Sequence, residues 1–123
     1  MEFPLSEEHR MVVDVVRRFV NEDLIPLEKS VLEREATGQG LGFAKEDEKR
    51  LENKSQSRGL WGLDVPEEYG GIALDPKSET QTFAVISEEI SRGDCGLAEK
   101  MVQQWKVSVL LRNILPESLK KIW

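Results

Sequence analysis

The stretch SEEHRMVVDVVRRFVNEDLIP, residues 6–26, decides the fold class of this 123-residue chain. Its apolar residues recur at steps of three and four, which places them on one face of an α-helix. Ser6 precedes two acids, a pattern typical of a helix N-terminus. Pro26 predicts that the helix ends or kinks near Ile25. The apolar face consists of Val12, Val13, Val16, Phe19, Val20 and Leu24.

In the rest of the chain, apolar residues also recur at the spacing of α-helices. Residues 45–58 are dense in charges of both signs, and Leu51 is nearly the only apolar residue there that can anchor a helix to the core. In 96–113, Leu110 is expected to widen the buried face of the helix. Glycines in 37–42 predict an exposed loop, and 66–71 predicts a turn that begins with proline and closes with glycine. The further predicted helices cover residues 27–35, 45–58, 78–91, 96–113 and 116–121.

Period-two alternation, the pattern of a half-buried strand, is not convincing anywhere in the sequence. The length suits one compact domain. We therefore predict an all-α fold, an orthogonal or up-down helical bundle that forms a single domain over residues 1–123.

Composition excludes several classes of function. There are 17 Lys plus Arg against 23 Asp plus Glu, a net charge of -6, which disfavours nucleic acid as a partner. Cys95 is the only cysteine, so an intrachain disulfide is excluded. The apolar runs are shorter than a membrane span needs, and the first residues resemble neither a signal nor a transit peptide. These features predict a cytoplasmic protein without a membrane span.

The inventory of reactive side chains is small. One histidine and one cysteine exclude paired-histidine and cysteine-rich metal sites. His9, among acids in a first helical turn, is predicted to be a surface residue. Gly38 and Gly40 begin a dinucleotide-loop pattern, but Phe43 stands where the third glycine belongs and no strand precedes it. We therefore predict no catalytic, cofactor-binding or metal-binding residue.

The sequence GLWGLDVPEEYGG at 59–71 is followed by SEEI at 87–90, and LSEEHR at 5–10 opens the first helix. These three blocks resemble the N-terminal helical domain of the acyl-CoA dehydrogenases. The blocks come in the family's order, and the resemblance covers residues 3–92. After Gly93 the agreement weakens.

The resemblance implies an oxidoreductase of fatty acid metabolism, a flavoprotein that desaturates an acyl-CoA thioester at its α,β bond with FAD. The family's complete enzyme has this helical domain, then a flavin-binding β-domain, then a C-terminal catalytic domain. The latter two are expected to be absent from this chain, so it is expected not to catalyse alone. In the full-length enzyme the implied partners are acyl-CoA and an electron-transferring flavoprotein, and a homo-oligomer is left open.

Two sets of apolar residues carry the roles that the resemblance implies. Val12 and Phe19 sit where the electron-transferring flavoprotein docks in family members, and full burial would instead make them core residues. The other set is expected to line the distal acyl channel, with packing of the bundle as the alternative. These channel candidates are Leu97, Met101, Val102 and Trp105.

Two alternatives to a dehydrogenase domain remain open from the sequence. The first is a non-enzymatic interaction module whose helical bundle binds a partner chain, such as the rest of a split dehydrogenase. The second is a truncated gene product without a selected function, suggested by the composition after Gly93. Reading the downstream DNA in all frames distinguishes them.

Overall fold

Six α-helices make up most of the described chain, and no strand occurs in this part, so the all-α prediction is confirmed. The computed structural model describes residues 5–63, 65–71, 76–93 and 95–121, with the side chains of 76–79, 95, 97–102 and 104 outside the description. The helices are α1 (Glu7–Phe19), α2 (Glu28–Ala36), α3 (Lys45–Ser57), α4 (Pro76–Gly93), α5 (Cys95–Ile114) and α6 (Glu117–Lys120).

The first helix begins as the sequence predicts. Ser6 is the N-cap, and its hydroxyl oxygen accepts a hydrogen bond from the backbone N–H of His9 at 3.3 Å. A second hydrogen bond of 2.7 Å joins Ser6 Oγ to His9 Nδ1. The prediction that His9 lies on the surface is wrong, because its side chain is fully buried. His9 precedes Val13 by four residues and therefore continues the inward face of α1.

The kink expected near Ile25 is spread over eight residues. α1 passes into a π-helical turn, Val20–Leu24, in which the N–H of Ile25 bonds the carbonyl of Val20. A 3₁₀ turn, Ile25–Leu27, then holds Pro26 and leads into α2. Proline has no N–H and crowds the turn before it, which makes a regular α-helix costly at this point. The distortion therefore begins before the proline itself.

The hydrophobic core lies where α4 packs between α1 and α5. The core includes Val16 and Phe19 from α1 and Ile86 and Ile90 from α4, all with no exposed surface. Outside this contact, Arg17 Nη2 lies 3.0 Å from Glu89 Oε1 and ties the same two helices together. The buried apolar residues are Val13, Val16, Phe19, Val20, Leu24, Leu51, Leu60, Leu63, Ile86, Ile90 and Trp105.

The prediction that Leu110 widens the buried face of α5 is wrong. Leu110 is 56% exposed, whereas Trp105 is 4% exposed. Five residues in an α-helix correspond to a rotation of about 140°, so these two side chains point to different faces. Leu110 therefore lies away from the core that Trp105 enters.

The second and third helices are attached to this core by few apolar contacts. Leu51 and Ser55 are the buried residues of α3, as the lone apolar anchor predicts, and α2 buries none. The loop 37–42 is exposed or partly exposed, as expected. Gly38, Gly40 and Gly42 have φ values of 69°, 126° and 68°, which side-chain-bearing residues rarely adopt.

Candidate functional site

Trp105 is the channel candidate whose side chain the structure describes. Its ring contacts Phe83 of α4 with centroids 5.1 Å apart and a tilt of 43°. Its indole N–H donates to the carbonyl of Leu60 at 3.2 Å. A buried tryptophan needs a partner for this N–H, so the contact fixes the ring between α4 and the segment before residue 63. Within the described chain Trp105 packs the bundle.

The other three channel candidates lie outside the described side chains. Leu97, Met101 and Val102 belong to α5, but the structure describes only their backbone. The acyl-channel role of the four residues stays a prediction. Trp105 is almost fully buried by the described chain, so little of its side chain is left for an acyl chain to contact.

The two docking candidates differ in burial. Phe19 is fully buried, and the Arg58 guanidinium lies over its ring, 5.8 Å from the centroid. Val12 is partly buried and packs against the core. The two residues therefore do not form an exposed apolar patch in the described chain, although docking to a partner stays an untested prediction.

A buried carboxylate, which the sequence reasoning missed, joins the π-helical turn to α3. Asp23 accepts a hydrogen bond from Lys54 Nζ at Oδ1, and Arg58 Nη2 lies 2.9 Å from its Oδ2. Glu22 Oε2 accepts from the same guanidinium at 3.2 Å. The side chain of Asp23 is 4% exposed. We call Glu22, Asp23, Lys54 and Arg58 the Asp23 cluster.

The contact between Arg58 and Asp23 is an ion pair rather than a hydrogen bond. Its distance is short, but Asp23 Oδ2 is buried without a hydrogen-bond partner of good angle. The positive charge of Arg58 therefore faces that oxygen across 2.9 Å. A signal for this cluster exists in the sequence: Asp23 follows Val20 by three residues on the inward face, and Lys54 and Arg58 are four apart. The pairing of Lys54 with Asp23, 31 residues apart in the sequence, depends on the tertiary structure.

A second polar contact holds the last helix. The Tyr69 hydroxyl donates to Glu117 Oε2, and Lys120 Nζ donates to Glu117 Oε1 at 2.8 Å. The hydrogen bond to Glu117 raises the pKa of Tyr69 to about 12. Hydrogen bonds from Lys120 and Tyr69 hold the pKa of Glu117 below its usual value. We call these three residues the Tyr69 bridge; it joins the turn 66–71 to α6.

The glycine-rich loop does not fit the pyrophosphate of a flavin. The Gly42 N–H donates to the Glu35 carboxylate at 2.9 Å, so an anion of the chain already occupies this donor. Arg34 Nη2 donates to the Gln39 carbonyl at 3.2 Å, which closes the loop on α2. An incoming phosphate would have to displace Glu35 against charge repulsion. Arg34 and Glu35 of α2 therefore hold the loop against that helix.

An open groove of about 620 Å³ runs along α3, apart from every predicted site residue. Arg50 and Lys54 in it already pair with Asp47 and Asp23. Its lining residues are Glu46, Lys49, Arg50, Asn53, Lys54 and Ser57. Within the described ranges, we find no grouping of three or more potential metal ligands. None of the described helices combines the length and apolarity needed to cross a bilayer.

Comparison with known proteins identifies the family. The family described as "Acyl-CoA dehydrogenase, N-terminal domain" matches residues 6–123, beyond the region covered by the three sequence blocks. The chain therefore belongs to the acyl-CoA dehydrogenase N-terminal domain family, in agreement with the all-α fold.

Curated relatives carry dehydrogenase names. An (R)-benzylsuccinyl-CoA dehydrogenase of Thauera aromatica is 38% identical over 101 residues, 80% of this chain and 24% of the relative. A probable acyl-CoA dehydrogenase of Bacillus subtilis (strain 168) is 32% identical over 87 residues, 71% of this chain and 12% of the relative. The human mitochondrial short-chain specific acyl-CoA dehydrogenase is 33% identical over 94 residues, 72% of this chain and 18% of the relative.

The chain spans a quarter or less of the length of these relatives. No solved structure matches it.

Proposed function

We propose that this chain is the N-terminal helical domain of an FAD-dependent acyl-CoA dehydrogenase and does not desaturate acyl-CoA on its own. The observation that carries the proposal is the family match through residues 6–123 in a chain that spans a quarter or less of its dehydrogenase relatives. A single domain over 1–123 and a cytoplasmic location belong to the same proposal.

The substrate role that we propose is a structural one. α5 forms a wall of the acyl channel, with Leu97, Met101 and Val102 near the chain tail and Trp105 behind them. The clamp of Trp105 between Phe83 and the Leu60 carbonyl supports this arrangement, because it fixes the rotation of α5 against α4. A rigid helix gives a channel wall of constant shape.

We assign FAD binding to the other domains of the complete family enzyme. Glu35 occupies the Gly42 N–H in the glycine-rich loop, so at that position an incoming phosphate would meet a carboxylate instead of a free donor. When bound in the complete enzyme, FAD supplies the hydride acceptor. Electron transfer to an electron-transferring flavoprotein, and a homo-oligomeric assembly, are further parts of the proposal that rest on family membership.

Two measurements test the proposal. The purified chain is mixed with excess FAD and (R)-benzylsuccinyl-CoA and then desalted. We expect no retained flavin and no substrate-dependent loss of flavin absorbance. Retained flavin that bleaches with substrate would overturn the claim that the chain is inactive alone.

The second measurement replaces the matched portion of the Thauera aromatica relative with this chain. We expect the chimera to retain FAD and to oxidise the host's own acyl-CoA substrate. A folded chimera that is loaded with flavin but shows no substrate oxidation would contradict the proposed domain role. The unmodified host enzyme serves as the control.

A further inference from the structure

The helix α3 places little apolar surface in the core. Leu51 is the single apolar residue in its sequence KEDEKRLENKSQS, and Leu51 and Ser55 are its buried residues. One buried leucine contributes little beside α1 and α4, which supply Val16 and Ile86 among other residues without exposed surface. Apolar burial therefore holds α3 less firmly than it holds α1 and α4.

Polar contacts of the Asp23 cluster add to the attachment of α3. Lys54 Nζ donates to Asp23, and Arg58, the C-cap residue of α3, places Nη2 2.9 Å from Asp23 Oδ2. The Arg58 guanidinium also lies over the Phe19 ring. Glu48 takes part in a further polar interaction. The contacts that hold α3 are thus mainly between charges.

These charged contacts are partly offset by the water that they displace. The side chain of Asp23 is 4% exposed, and its Oδ2 is buried without a hydrogen-bond partner. When α3 moves away, Asp23 regains water, and so do Lys54 and Arg58. The desolvation penalty of a buried ion pair opposes its charge attraction, so separating these groups costs less than their short distances suggest.

The two ends of α3 allow it to separate without disturbing the core. Before it lies the exposed loop 37–42, in which no residue is buried. After it the chain returns to the core at once, since Leu60 is 1% exposed and its carbonyl accepts the indole N–H of Trp105. The segment between the loop and Leu60 is therefore anchored firmly at one end only.

We propose that α3 opens from the bundle as a unit while the core of α1, α4 and α5 stays folded, and that the Asp23 cluster holds it closed. Opening takes Arg58 off the Phe19 ring and Lys54 off Asp23. One side of an aromatic ring and a carboxylate then become accessible together on the face that α3 covers. This property belongs to the domain itself and does not rest on the proposed function.

Native-state hydrogen exchange of the full chain measures this opening. Amides of residues 51–57 in α3 and 84–91 in α4 are compared with their unfolded rates, where opening and closing are faster than exchange. We expect the α3 amides to be less protected by roughly tenfold or more, because regions with few buried apolar contacts open at lower free energy.

A core variant separates local opening from global unfolding. Ile90 is fully buried on α4, and Ile90→Val is expected to speed exchange of the α4 amides by about three- to tenfold. The α3 amides are expected to keep the parent rate, because their opening leaves the core intact. Equal protection of both helices in the parent, with equal acceleration in Ile90→Val, would overturn the proposal.

Variants of the Asp23 cluster test what holds α3 closed. Asp23→Asn is expected to speed exchange of the α3 amides by roughly tenfold, because it removes the charge that Lys54 and Arg58 bind. Lys54→Gln, at a half-exposed position, is expected to give a smaller increase and keeps the test available if Asp23→Asn does not fold. Asp14→Asn is the matched control, since Asp14 pairs with Arg17 on the exposed side of α1, and we expect it to leave the α3 rate unchanged.

The outcomes of these variants decide the role of the cluster. Faster α3 exchange in Asp23→Asn and Lys54→Gln, but not in Asp14→Asn, supports the proposal. A parent α3 rate in both cluster variants, or the same acceleration in Asp14→Asn, would show that the Asp23 cluster does not hold α3 closed. None of these readouts uses flavin or acyl-CoA, so their failure is distinguishable from failure of the domain role.

Discussion

The helices α1 and α5 are both rich in apolar residues, yet the described chain covers them unequally. α1 buries Val16 and Phe19 and leaves Met11 as its exposed large apolar residue. Among its described side chains, α5 buries Trp105 and leaves Val107, Leu110 and Ile114 exposed. The described chain therefore covers the apolar face of α1 but not that of the second half of α5.

The largest expected effect compares a core residue of α1 with an exposed residue of α5. Phe19→Ala in the isolated chain is expected to lower the free energy of unfolding by about 3–5 kcal/mol, because it leaves a cavity between α1 and α4. Leu110→Ala is expected to change it by about 0.5 kcal/mol or less, since half of that side chain already faces solvent. Urea unfolding followed by circular dichroism measures both. Equal losses would break the comparison between the two helices.

The Asp23 cluster is expected to give the next largest effect. Asp23→Ala removes the buried anion between Lys54 and Arg58, and we expect a loss of about 1–3 kcal/mol in the free energy of unfolding. The two cations are partly exposed and regain water, which keeps the loss below that of a fully buried pair.

The matched control for that variant lies on α1, the helix that leads into the π-helical turn of Asp23. Asp14 pairs with Arg17 at 3.5 Å, but its side chain is 65% exposed. Asp14→Ala is therefore expected to cost about 0.5 kcal/mol or less. If Asp14→Ala proved as destabilising as Asp23→Ala, burial would not explain the strength of the Asp23 cluster.

A smaller effect is expected where two glycines face each other near the turn 66–71. A Cβ at Gly71 would lie 1.9 Å from the carbonyl oxygen of Val65, whereas one at Gly62 would lie 3.9 Å from Gly71 Cα. Gly71→Ala is expected to cost about 1–2 kcal/mol, with the turn shifting to relieve the clash. Gly62→Ala is expected to be tolerated. Thermal unfolding of the two variants, compared with the parent, checks the difference.

The smallest effect concerns the Tyr69 bridge at the α6 end of the molecule. Tyr69 is the only tyrosine, so tyrosinate absorbance reports this residue alone above the tryptophan background. We expect its pKa to lie at about 12 and to fall toward 10.0 in Glu117→Gln, since a neutral amide replaces the carboxylate that accepts the hydrogen bond of the hydroxyl. Glu68→Gln, which removes a charge but no hydrogen bond, is expected to change the pKa less.

The pH dependence of this bridge follows from the two shifts. The pKa of Tyr69 is raised in the folded chain, so its contribution is complete below pH 10 and is lost as the pH rises through about 12. The pKa of Glu117 is lowered by Lys120 and Tyr69, so its contribution is present above its ordinary pKa and is lost as the pH falls below it. Urea unfolding at a series of pH values is expected to show this loss of stability at both extremes, and the loss is expected to be smaller in Glu117→Gln, which lacks the bridge.

Several elements could be predicted because their causes are local. The spacing of Val13, Val16 and Val20, the cap at Ser6 and the single anchor Leu51 each depend on neighbours within a turn or two of helix. The family resemblance likewise rests on contiguous blocks of residues. These features agree with the structure and with the family match.

The two wrong predictions follow residue type rather than helical spacing. Acidic neighbours predict a surface position for His9, although it shares the inward face of Val13 four residues on. Apolar character predicts a core position for Leu110, although a rotation of about 140° separates it from Trp105. The Asp23 cluster, in contrast, depends on partners that are distant in the sequence.

The sequence by itself determined the helices, the family and the absence of a paired-histidine or cysteine-rich site, since these follow from residue types and short spacings. Only the tertiary structure decided that Phe19 is a core residue beneath Arg58, that Asp23 is buried against Lys54, and that Leu110 is exposed in the described chain. The physical reason is that burial depends on which surfaces meet across long distances in the chain. Periodicity gives a helix an apolar face, but packing decides what covers it.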